Sequence, residues 1–285
     1  MRDLLQSSHN VSVNGLKIHY RESNPHLPKT IVMLRGFRSS DEGLMKLAEE
    51  FGGYHLIIPD FPGYGQTAEL EVDHSVKAYA EVIASLITWL GLTDIILMGH
   101  SFGALVGLVC AGDHPQAISK LVLIAPVPRP SLLSRASSIY FLIGRALPSP
   151  LKRHWLTNRT IHRPMRNFVA CNHDPVIHAE VMLEGERELR ELRPNINIEN
   201  YLSLVSCDPT LWIERLAMPT LVVTGDADRL TRVPDIISTY QSPRITIRIL
   251  QGLGHYSPSE NPAEVAQQVQ AWLEVPAAAT KLIYR

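Results

Sequence analysis

The sequence predicts an α/β fold in which a mainly parallel sheet carries helices on both of its faces. Short apolar runs alternate with segments of helical periodicity along most of the 285 residues. The strand-like runs are too uniformly apolar for burial on one side only, which is typical of parallel strands covered on both faces. Residues 128–218 lack a clear strand and are rich in helix formers, which predicts a helical insertion over one end of the sheet.

The first half of the chain alternates strongly. Strands are predicted over residues 16–20, 30–34, 54–59, 94–98 and 121–125. Helices are predicted over residues 41–51 and 76–90, and a run of small apolar residues at 104–111 predicts a buried helix. Because ligands of such sheets bind at the carboxyl ends of the strands, functional side chains are expected there.

The alternation resumes after the insertion. The predicted elements are a strand at 220–223, a helix at 233–240, a strand at 246–250 and a helix at 262–273. Inside the insertion, helices are predicted over 132–146, 177–192 and 196–205. We therefore expect residues 1–127 and 219–285 to form an α/β core, with residues 128–218 as a helical cap.

Composition excludes several classes of protein. A hydrophobic content of 45% and a charged content of 19% fit a soluble globular protein with a full core. No apolar run approaches the roughly 20 residues that span a bilayer, and the first residues lack a secretory signal. Cys110, Cys171 and Cys207 are widely spaced, which argues against a disulfide framework or zinc cluster and predicts a cytoplasmic location. A net charge of −1 gives no reason to expect nucleic acid as a partner.

The strongest functional signal is the segment Gly99-His100-Ser101-Phe102-Gly103. It stands between a predicted strand and a predicted buried helix, which is the setting of a nucleophile elbow. The sharp turn exposes the serine hydroxyl, and the glycines leave room for it. The helix also directs its N-terminal N–H groups at any negative charge that the serine creates.

An activated serine needs a base to accept its proton and a carboxylate to orient that base. Asp226 and Asp228 follow the strand at 220–223, and His255 follows the strand at 246–250. All three therefore lie past the carboxyl ends of strands, at the edge of the sheet that carries Ser101. The residues alone leave either aspartate open as the acid.

Five segments, in order, resemble motifs of the α/β-hydrolase superfamily, in its branch of esterases, lipases and C–C hydrolases with a helical cap. They are TIVMLRGF at 30–37, DFPGYG at 60–65, GHSFG at 99–103, MPTLVVTG at 218–225, and GLGH at 252–255 followed by ENP at 260–262. The resemblance covers nearly the whole chain, from about residue 10 to residue 275.

This resemblance implies a role for each candidate residue. Ser101 is the nucleophile and His255 is the base. The family places the acid three residues after the glycine of the post-cap strand, which selects Asp228 and leaves Asp226 as a turn residue. The resemblance implies a carboxylic ester with a hydrophobic arm as substrate, an acyl-enzyme intermediate, and neither a cofactor nor a metal ion.

The resemblance also implies an oxyanion hole formed by the backbone N–H groups of Phe37 and Phe102. Arg35 stands where the family usually has histidine before the oxyanion-loop glycine. Two interpretations are open: Arg35 is a structural replacement that bonds nearby carbonyls, or it is a cation that prefers a carboxylate-bearing substrate. Gln66 and Thr67 replace the usual Arg-Ser after the turn at 60–65, which we interpret as a change in turn support.

Three functions remain compatible with these residues besides simple ester hydrolysis. The same triad serves C–C hydrolases of ring-fission products and acyltransferases, and a ligand-binding receptor with little turnover can retain it. No motif specifies the natural substrate or the oligomeric state.

The first half of the predicted cap is strongly basic. Residues 129–173 contain eight arginines and lysines and no acidic residue: Arg129, Arg135, Arg145, Lys152, Arg153, Arg159, Arg163 and Arg166. With the apolar run at 139–143, this segment suits weak contact with an anionic membrane surface or steering of an anionic substrate. The alternative is a solvated surface paired with the acidic residues at 184–191.

Overall fold

The computed structural model describes residues 7–38, 42–130, 135–169 and 174–274. Within these ranges one eight-stranded sheet is formed by β1 (Ser7–Val13), β2 (Leu16–Ser23), β3 (Thr30–Leu34), β4 (His55–Pro59), β5 (Ile95–His100), β6 (Ile118–Ile124), β7 (Thr220–Gly225) and β8 (Ile245–Leu250). Their order is β1-β2-β4-β3-β5-β6-β7-β8. β2 pairs antiparallel with β1 and β4, and the other neighbours are parallel. The predicted mainly parallel sheet is therefore confirmed.

Helices of the described residues flank this sheet and fill the insertion. They are α1 (Glu42–Glu49), α2 (Val76–Trp89), α3 (Phe102–Asp113), α4 (Arg135–Ala146), α5 (Ser149–Leu156), α6 (Arg159–Val169), α7 (Pro175–Glu191), α8 (Pro194–Ser206), α9 (Thr210–Ile213), α10 (Val233–Thr239), α11 (Ser257–Glu260) and α12 (Pro262–Leu273), with a 3₁₀ turn at Pro115–Ala117. No helix in the described ranges is both long enough and apolar enough to cross a membrane.

The core has one apolar layer on each face of the sheet, as the uniformly apolar strands predict. One layer packs α2, α3 and α10 against the sheet, with Tyr79 and Leu105 almost fully buried. The other packs α1 and α12, with Leu47 and Val269 buried to the same degree. Burying both faces fixes the sheet as a rigid platform on which the loops at the strand ends are held.

Local sequence signals set where several helices begin. The hydroxyl of Ser75 accepts a hydrogen bond from the Ala78 N–H at the start of α2. Asn261 caps α12 in the same way, and Asp174 caps α7. Each side chain satisfies N–H groups that have no acceptor within the helix.

The insertion between β6 and β7 packs around its own small apolar cluster. Phe141 of α4, Leu156 of α5 and Tyr201 of α8 are buried together there. At the end of the insertion α9 packs on α3, where the Trp212 side chain lies against Gly112. The helices predicted at 177–192 and 196–205 correspond to α7 and α8.

Some elements differ from the sequence prediction. β1, α5 and α6 were not predicted, and β2 continues three residues beyond its predicted end. Asp41, residues 132–134 and Cys171, for which predictions were made, lie outside the described residues.

Candidate active site

Ser101 lies at the sharp turn between β5 and α3. Its backbone has φ 53° and ψ −114°, a left-handed conformation that costs energy for a residue with a side chain. A side chain on Gly99 would collide with the backbone of Gly103, and one on Gly103 would collide with the carbonyl oxygens of Leu34 and Arg35. The two glycines of the motif therefore allow the close approach that holds the turn.

The structure brings the three predicted triad residues into one hydrogen-bonded line. The Oγ of Ser101 lies 2.9 Å from Nε2 of His255, and Nδ1 of His255 lies 2.9 Å from Oδ2 of Asp228. Their exposed fractions are 7%, 4% and 3%. Because the carboxylate only accepts, Nδ1 of His255 donates to it, which leaves Nε2 free to accept the proton of Ser101.

Asp228 is held by several donors of its own loop. Its Oδ1 accepts from the N–H groups of Leu230 and Thr231, both at 2.8 Å, and its Oδ2 accepts from the Thr231 hydroxyl. Burial would raise the pKa of Asp228, but the adjacent His255 and the hydrogen bonds from His255 and Thr231 outweigh it and lower the pKa. The carboxylate is therefore ionised and fixed in orientation.

Asp226 lies outside this line. It is exposed, and its Oδ1 accepts a hydrogen bond from the Gly252 N–H at 2.7 Å. That contact joins the loop after β7 to the loop after β8, so Asp226 supports the turn that precedes His255.

The predicted oxyanion-hole residues lie on two segments in close contact. Phe102 is the first residue of α3, so its N–H has no acceptor within the helix. Phe37 lies in the turn after β3, and the Phe37 and Phe102 rings are 6.2 Å apart. The contact of Gly103 with the Leu34 and Arg35 carbonyls brings these two segments together.

His100 is a site residue that the sequence did not single out. Its Nε2–H donates to the backbone carbonyl of His255 at 2.8 Å. Burial, together with the neighbouring His255, lowers the pKa of His100 to about 4, so its ring is neutral. Glu260 accepts from the Gly254 N–H at 2.7 Å, so the histidine loop is restrained on both sides of His255.

A cavity of about 390 Å³ opens on Ser101 and His255. Its lining includes aromatic and apolar side chains, from Phe37, Tyr140, Phe141, Leu189 and Tyr201. It also includes ionisable and polar groups, from Arg38, Arg166, Glu184, Glu188, Tyr256 and Ser259. The insertion contributes residues of both kinds, so it helps to enclose Ser101.

Most charged side chains that line the cavity are paired. Arg166 binds Glu188 at 2.6 Å and lies over the Tyr256 ring, and Arg163 lies 3.2 Å from Glu186. Arg159 also binds Glu186. These ion pairs account for part of the expected pairing between the basic and acidic halves of the insertion.

Arg35 does not line the large cavity. It is buried, lies over the Tyr64 ring at 4.7 Å, and lines a smaller space of about 30 Å³ that shares Arg38 and Glu188 with the large cavity. This placement favours the structural interpretation of Arg35. The turn at 60–65 is supported through Gln66, whose N–H donates to Asp60, and Thr67, whose hydroxyl accepts from the His19 N–H.

The cysteines and histidines give no sign of other chemistry where the structure describes them. Cys110 and Cys207 are buried, and burial raises the pKa of each thiol to about 12. Among the described residues, no three His, Cys, Asp or Glu side chains are grouped to hold a metal ion.

Comparison with known proteins identifies the family. A family model described as the alpha/beta hydrolase family matches residues 31–268, so the chain belongs to this family. Lipase 1 of Psychrobacter immobilis is 22% identical over 275 residues, which covers 92% of this chain and 82% of the lipase. The (E)-2-((N-methylformamido)methylene)succinate hydrolase of Acinetobacter baylyi is 25% identical over 272 residues, covering 92% of this chain and 95% of that enzyme.

Solved structures agree on the fold. An esterase from Thermogutta terrifontis superposes with a TM-score of 0.79 at 20% identity, covering 94% of this chain and 98% of the esterase. At this identity the likeness shows the fold alone. Family membership and the named relatives support hydrolase activity on a small molecule.

Proposed function

We propose that this protein is a serine hydrolase that cleaves a carboxylic ester through an acyl-enzyme. The observation that carries the proposal is the hydrogen-bonded line from Ser101 through His255 to Asp228 at the floor of a cavity. Residues 128–218, as the proposed cap, would enclose the substrate above it. The aromatic and apolar side chains of the cavity lining suit an ester with at least one hydrophobic arm.

The proposed mechanism assigns a residue to each chemical step. The Ser101 Oγ attacks the ester carbonyl while its proton moves to Nε2 of His255. The N–H groups of Phe37 and Phe102 stabilise the resulting oxyanion, and loss of one such donor typically costs about 3 kcal/mol. His255 then protonates the leaving alcohol, which yields the acyl-enzyme.

The second half of the reaction uses the same base. His255 takes a proton from a water molecule, and the hydroxide attacks the acyl carbon. When the second tetrahedral intermediate collapses, the proton returns to Ser101 and the acid leaves. Asp228 keeps the His255 ring in the tautomer that both halves require.

The test compares variants of the triad with a neighbouring control. Ser101→Ala is expected to lower turnover of 4-nitrophenyl butyrate by at least about 10⁴-fold. Asp228→Asn is expected to lower it by about 10³–10⁴-fold, because an amide no longer favours the active tautomer. Asp226→Asn, on the same loop, still offers an oxygen to the Gly252 N–H and should change turnover by less than about threefold.

Two results would refute this proposal. One is unchanged turnover in a folded Ser101→Ala variant, with folding checked by circular dichroism. The other is a loss in Asp226→Asn as large as that in Asp228→Asn.

The alternative functions differ in kinetics. Wild-type protein is presented with acyl esters, thioesters and vinylogous diketones, and product release is followed from the first milliseconds. Steady turnover of esters supports the proposal. Preferred cleavage of the diketones supports a C–C hydrolase, product transfer to an added alcohol supports an acyltransferase, and a single slow burst supports a receptor.

We also propose that the outer surface of α4 meets anionic lipid. Arg135, Ile139, Leu142, Ile143 and Arg145 are exposed and occupy one continuous stripe of this helix. Apolar and basic side chains on one helix face suit a membrane surface with negative headgroups.

A further inference from the structure

Arg38 enters the cavity directly beside the proposed oxyanion hole. It follows Phe37 in the chain, has a left-handed φ of 55°, and lines the same 390 Å³ cavity as Ser101 and His255. Its side chain is partly buried. The positive charge of Arg38 therefore belongs to the residue next to Phe37, whose backbone N–H would stabilise the oxyanion.

Within the part of the chain that the structure describes, the contacts of Arg38 are all with neutral groups. Nε and Nη2 donate to Oδ1 of Asn197, at 2.8 and 2.5 Å, and Nη1 donates to Nδ1 of His162 at 3.3 Å. The guanidinium also lies over the rings of Phe37 and Phe141, at 5.3 and 5.1 Å. A guanidinium has five N–H donors, and the described residues take up three of them.

Arg38 differs in this respect from the other cations of the cavity wall. Arg163 and Arg166 bind Glu186 and Glu188. Among the described residues, no carboxylate lies within ion-pairing distance of Arg38, and Glu188 acts on it only at longer range. Burial disfavours an unpaired charge, and it lowers the pKa of Arg38. A bound anion would remove that penalty.

We propose that Arg38 binds a carboxylate of the substrate, so that the preferred substrates are esters that carry a free carboxylate on the acyl or the alcohol arm. The planar guanidinium matches a carboxylate through two parallel hydrogen bonds. The ester group would lie at Ser101 with the free carboxylate on the side of the oxyanion loop. This inference rests on the proposed function, because it specifies the substrate of the same site.

One rival explanation uses the same contacts. Asn197 lies on α8, His162 on α6 and Phe141 on α4, so Arg38 also joins the oxyanion loop to three helices of the insertion. If Arg38 were only such a clamp, its loss would slow neutral and anionic esters equally. The ratio of the two activities separates the explanations.

The experiment measures kcat/KM for two matched pairs of esters. The 4-nitrophenyl half-ester of adipic acid is compared with 4-nitrophenyl hexanoate, which places the carboxylate on the acyl arm. The second pair, 4-acetoxybenzoate and methyl 4-acetoxybenzoate, places it on the alcohol arm. In at least one pair, wild-type protein is expected to prefer the anionic ester by about 10- to 100-fold, the range of a charged hydrogen bond.

Three variants locate the source of that preference. Arg38→Met should bring the anionic-to-neutral ratio close to one. Asn197→Asp is nearly isosteric and supplies a carboxylate to Arg38 from within the protein, so it should remove the preference while keeping the clamp. Arg163→Met, a control at the cavity wall whose charge is already paired, should keep the wild-type ratio.

Each outcome decides the inference. It is overturned if wild-type protein does not favour the anionic ester in either pair, or if both Arg38→Met and Asn197→Asp keep the preference. If Arg38→Met does not fold, as judged by circular dichroism, Asn197→Asp alone decides.

A binding measurement separates this inference from the proposed function. Monomethyl adipate and methyl hexanoate are titrated into Ser101→Ala and into Ser101→Ala/Arg38→Met by calorimetry. Tighter binding of monomethyl adipate that depends on Arg38 supports the carboxylate site even if wild-type protein hydrolyses no ester. Ester hydrolysis without any such difference keeps the proposed function and rejects the carboxylate site.

Discussion

Glu184 is an acidic side chain held against the core at the wall of the cavity. It lies on α7 with an exposed fraction of 3%, and its Oε2 accepts from the Ser259 hydroxyl at 3.1 Å. Lys46 of α1 lies 3.8 Å from its Oε1. Burial raises the pKa of Glu184, and Lys46 and Ser259 offset this only in part.

This raised pKa predicts how stability depends on pH. An unfolded glutamate has a pKa of about 4.3, and the pKa of folded Glu184 is higher. The folded state therefore loses stability as the pH rises from the unfolded pKa through the folded pKa, because ionising the buried carboxyl is costly. Glu184→Gln keeps an oxygen for Ser259 and does not titrate. The Tm of the variant relative to wild type should therefore increase between pH 4 and pH 7, measured by differential scanning calorimetry.

A control on the same helix isolates the effect of burial. Glu180 is half-exposed and binds Lys46 at 2.6 Å, so Glu180→Gln should not gain stability over this pH range. A Tm difference for Glu184→Gln that stays constant or decreases with pH would contradict the expected cost of burial.

Single residues differ in how well the sequence predicts their place. Ser101, Asp228 and His255 follow strand ends within short motifs, so the sequence predicts that they lie at one edge of the sheet. The residues alone leave Asp226 open as the acid, and only the family resemblance selects Asp228. Arg38 carries no such signal, because its partner Asn197 is 159 residues away. His100 lies inside a recognised motif, but its bond to the His255 carbonyl depends on how two distant loops pack.

The N-terminus of α3 is the element on which the site geometry depends. Gly103 lies against the Leu34 and Arg35 carbonyls, so a methyl group there would push the helix away from the end of β3 and the turn that follows it. Gly103→Ala is expected to cost more than about 2 kcal/mol of stability and to lower kcat about 100-fold. Urea unfolding and turnover of 4-nitrophenyl butyrate measure the two effects.

Gly107 provides the matched control one turn further along α3. A Cβ there would meet the side chains of Leu34, Leu97 and Leu121 at 3.6–3.7 Å, which is ordinary contact. Gly107→Ala should be neutral or gain up to about 1 kcal/mol, since alanine favours a helix more than glycine does. Equal losses in the two variants would show that the approach of α3 to β3 is not the controlling feature.

Helices with an apolar stripe and a local start signal were predicted well, whereas an exposed edge strand and the short polar helices of the insertion, one of them with Pro164 inside it, were not. α12 matches its predicted range of 262–273, because its apolar stripe and the Asn261-Pro262 start are both local. β1 is an edge strand whose alternate residues are partly exposed, so its sequence SSHNVSV lacks an apolar run. α5 and α6 are mostly polar helices that pack through few side chains, such as Leu156.

The distribution of charge over the whole molecule is uneven. Arg159 and Arg163 of the insertion share an ion pair with Glu186 of α7, and Arg166 is paired with Glu188. The stripe on α4 is different: Arg135 and Arg145 are exposed beside Ile139 and Leu142, whose exposed fractions are 57% and 51%. A surface that is both basic and apolar therefore lies on the insertion that covers the cavity.

The membrane proposal predicts binding that depends on lipid charge. Wild-type protein should co-sediment with vesicles of phosphatidylcholine containing 30 mol% phosphatidylglycerol more than with phosphatidylcholine alone, and 0.5 M NaCl should weaken this binding.

Each basic residue near an anionic surface contributes about 1 kcal/mol, so Arg135→Glu/Arg145→Glu should lower the partition coefficient at least about tenfold. Leu142→Ser should lower it through lost apolar contact, while Arg244→Glu, at an exposed position before β8, should have little effect. Equal binding to both vesicle types would contradict the membrane proposal. Equal losses from the α4 and Arg244 variants would mean that α4 is not the contact surface, because binding would then depend on net charge and not on the position of the charge.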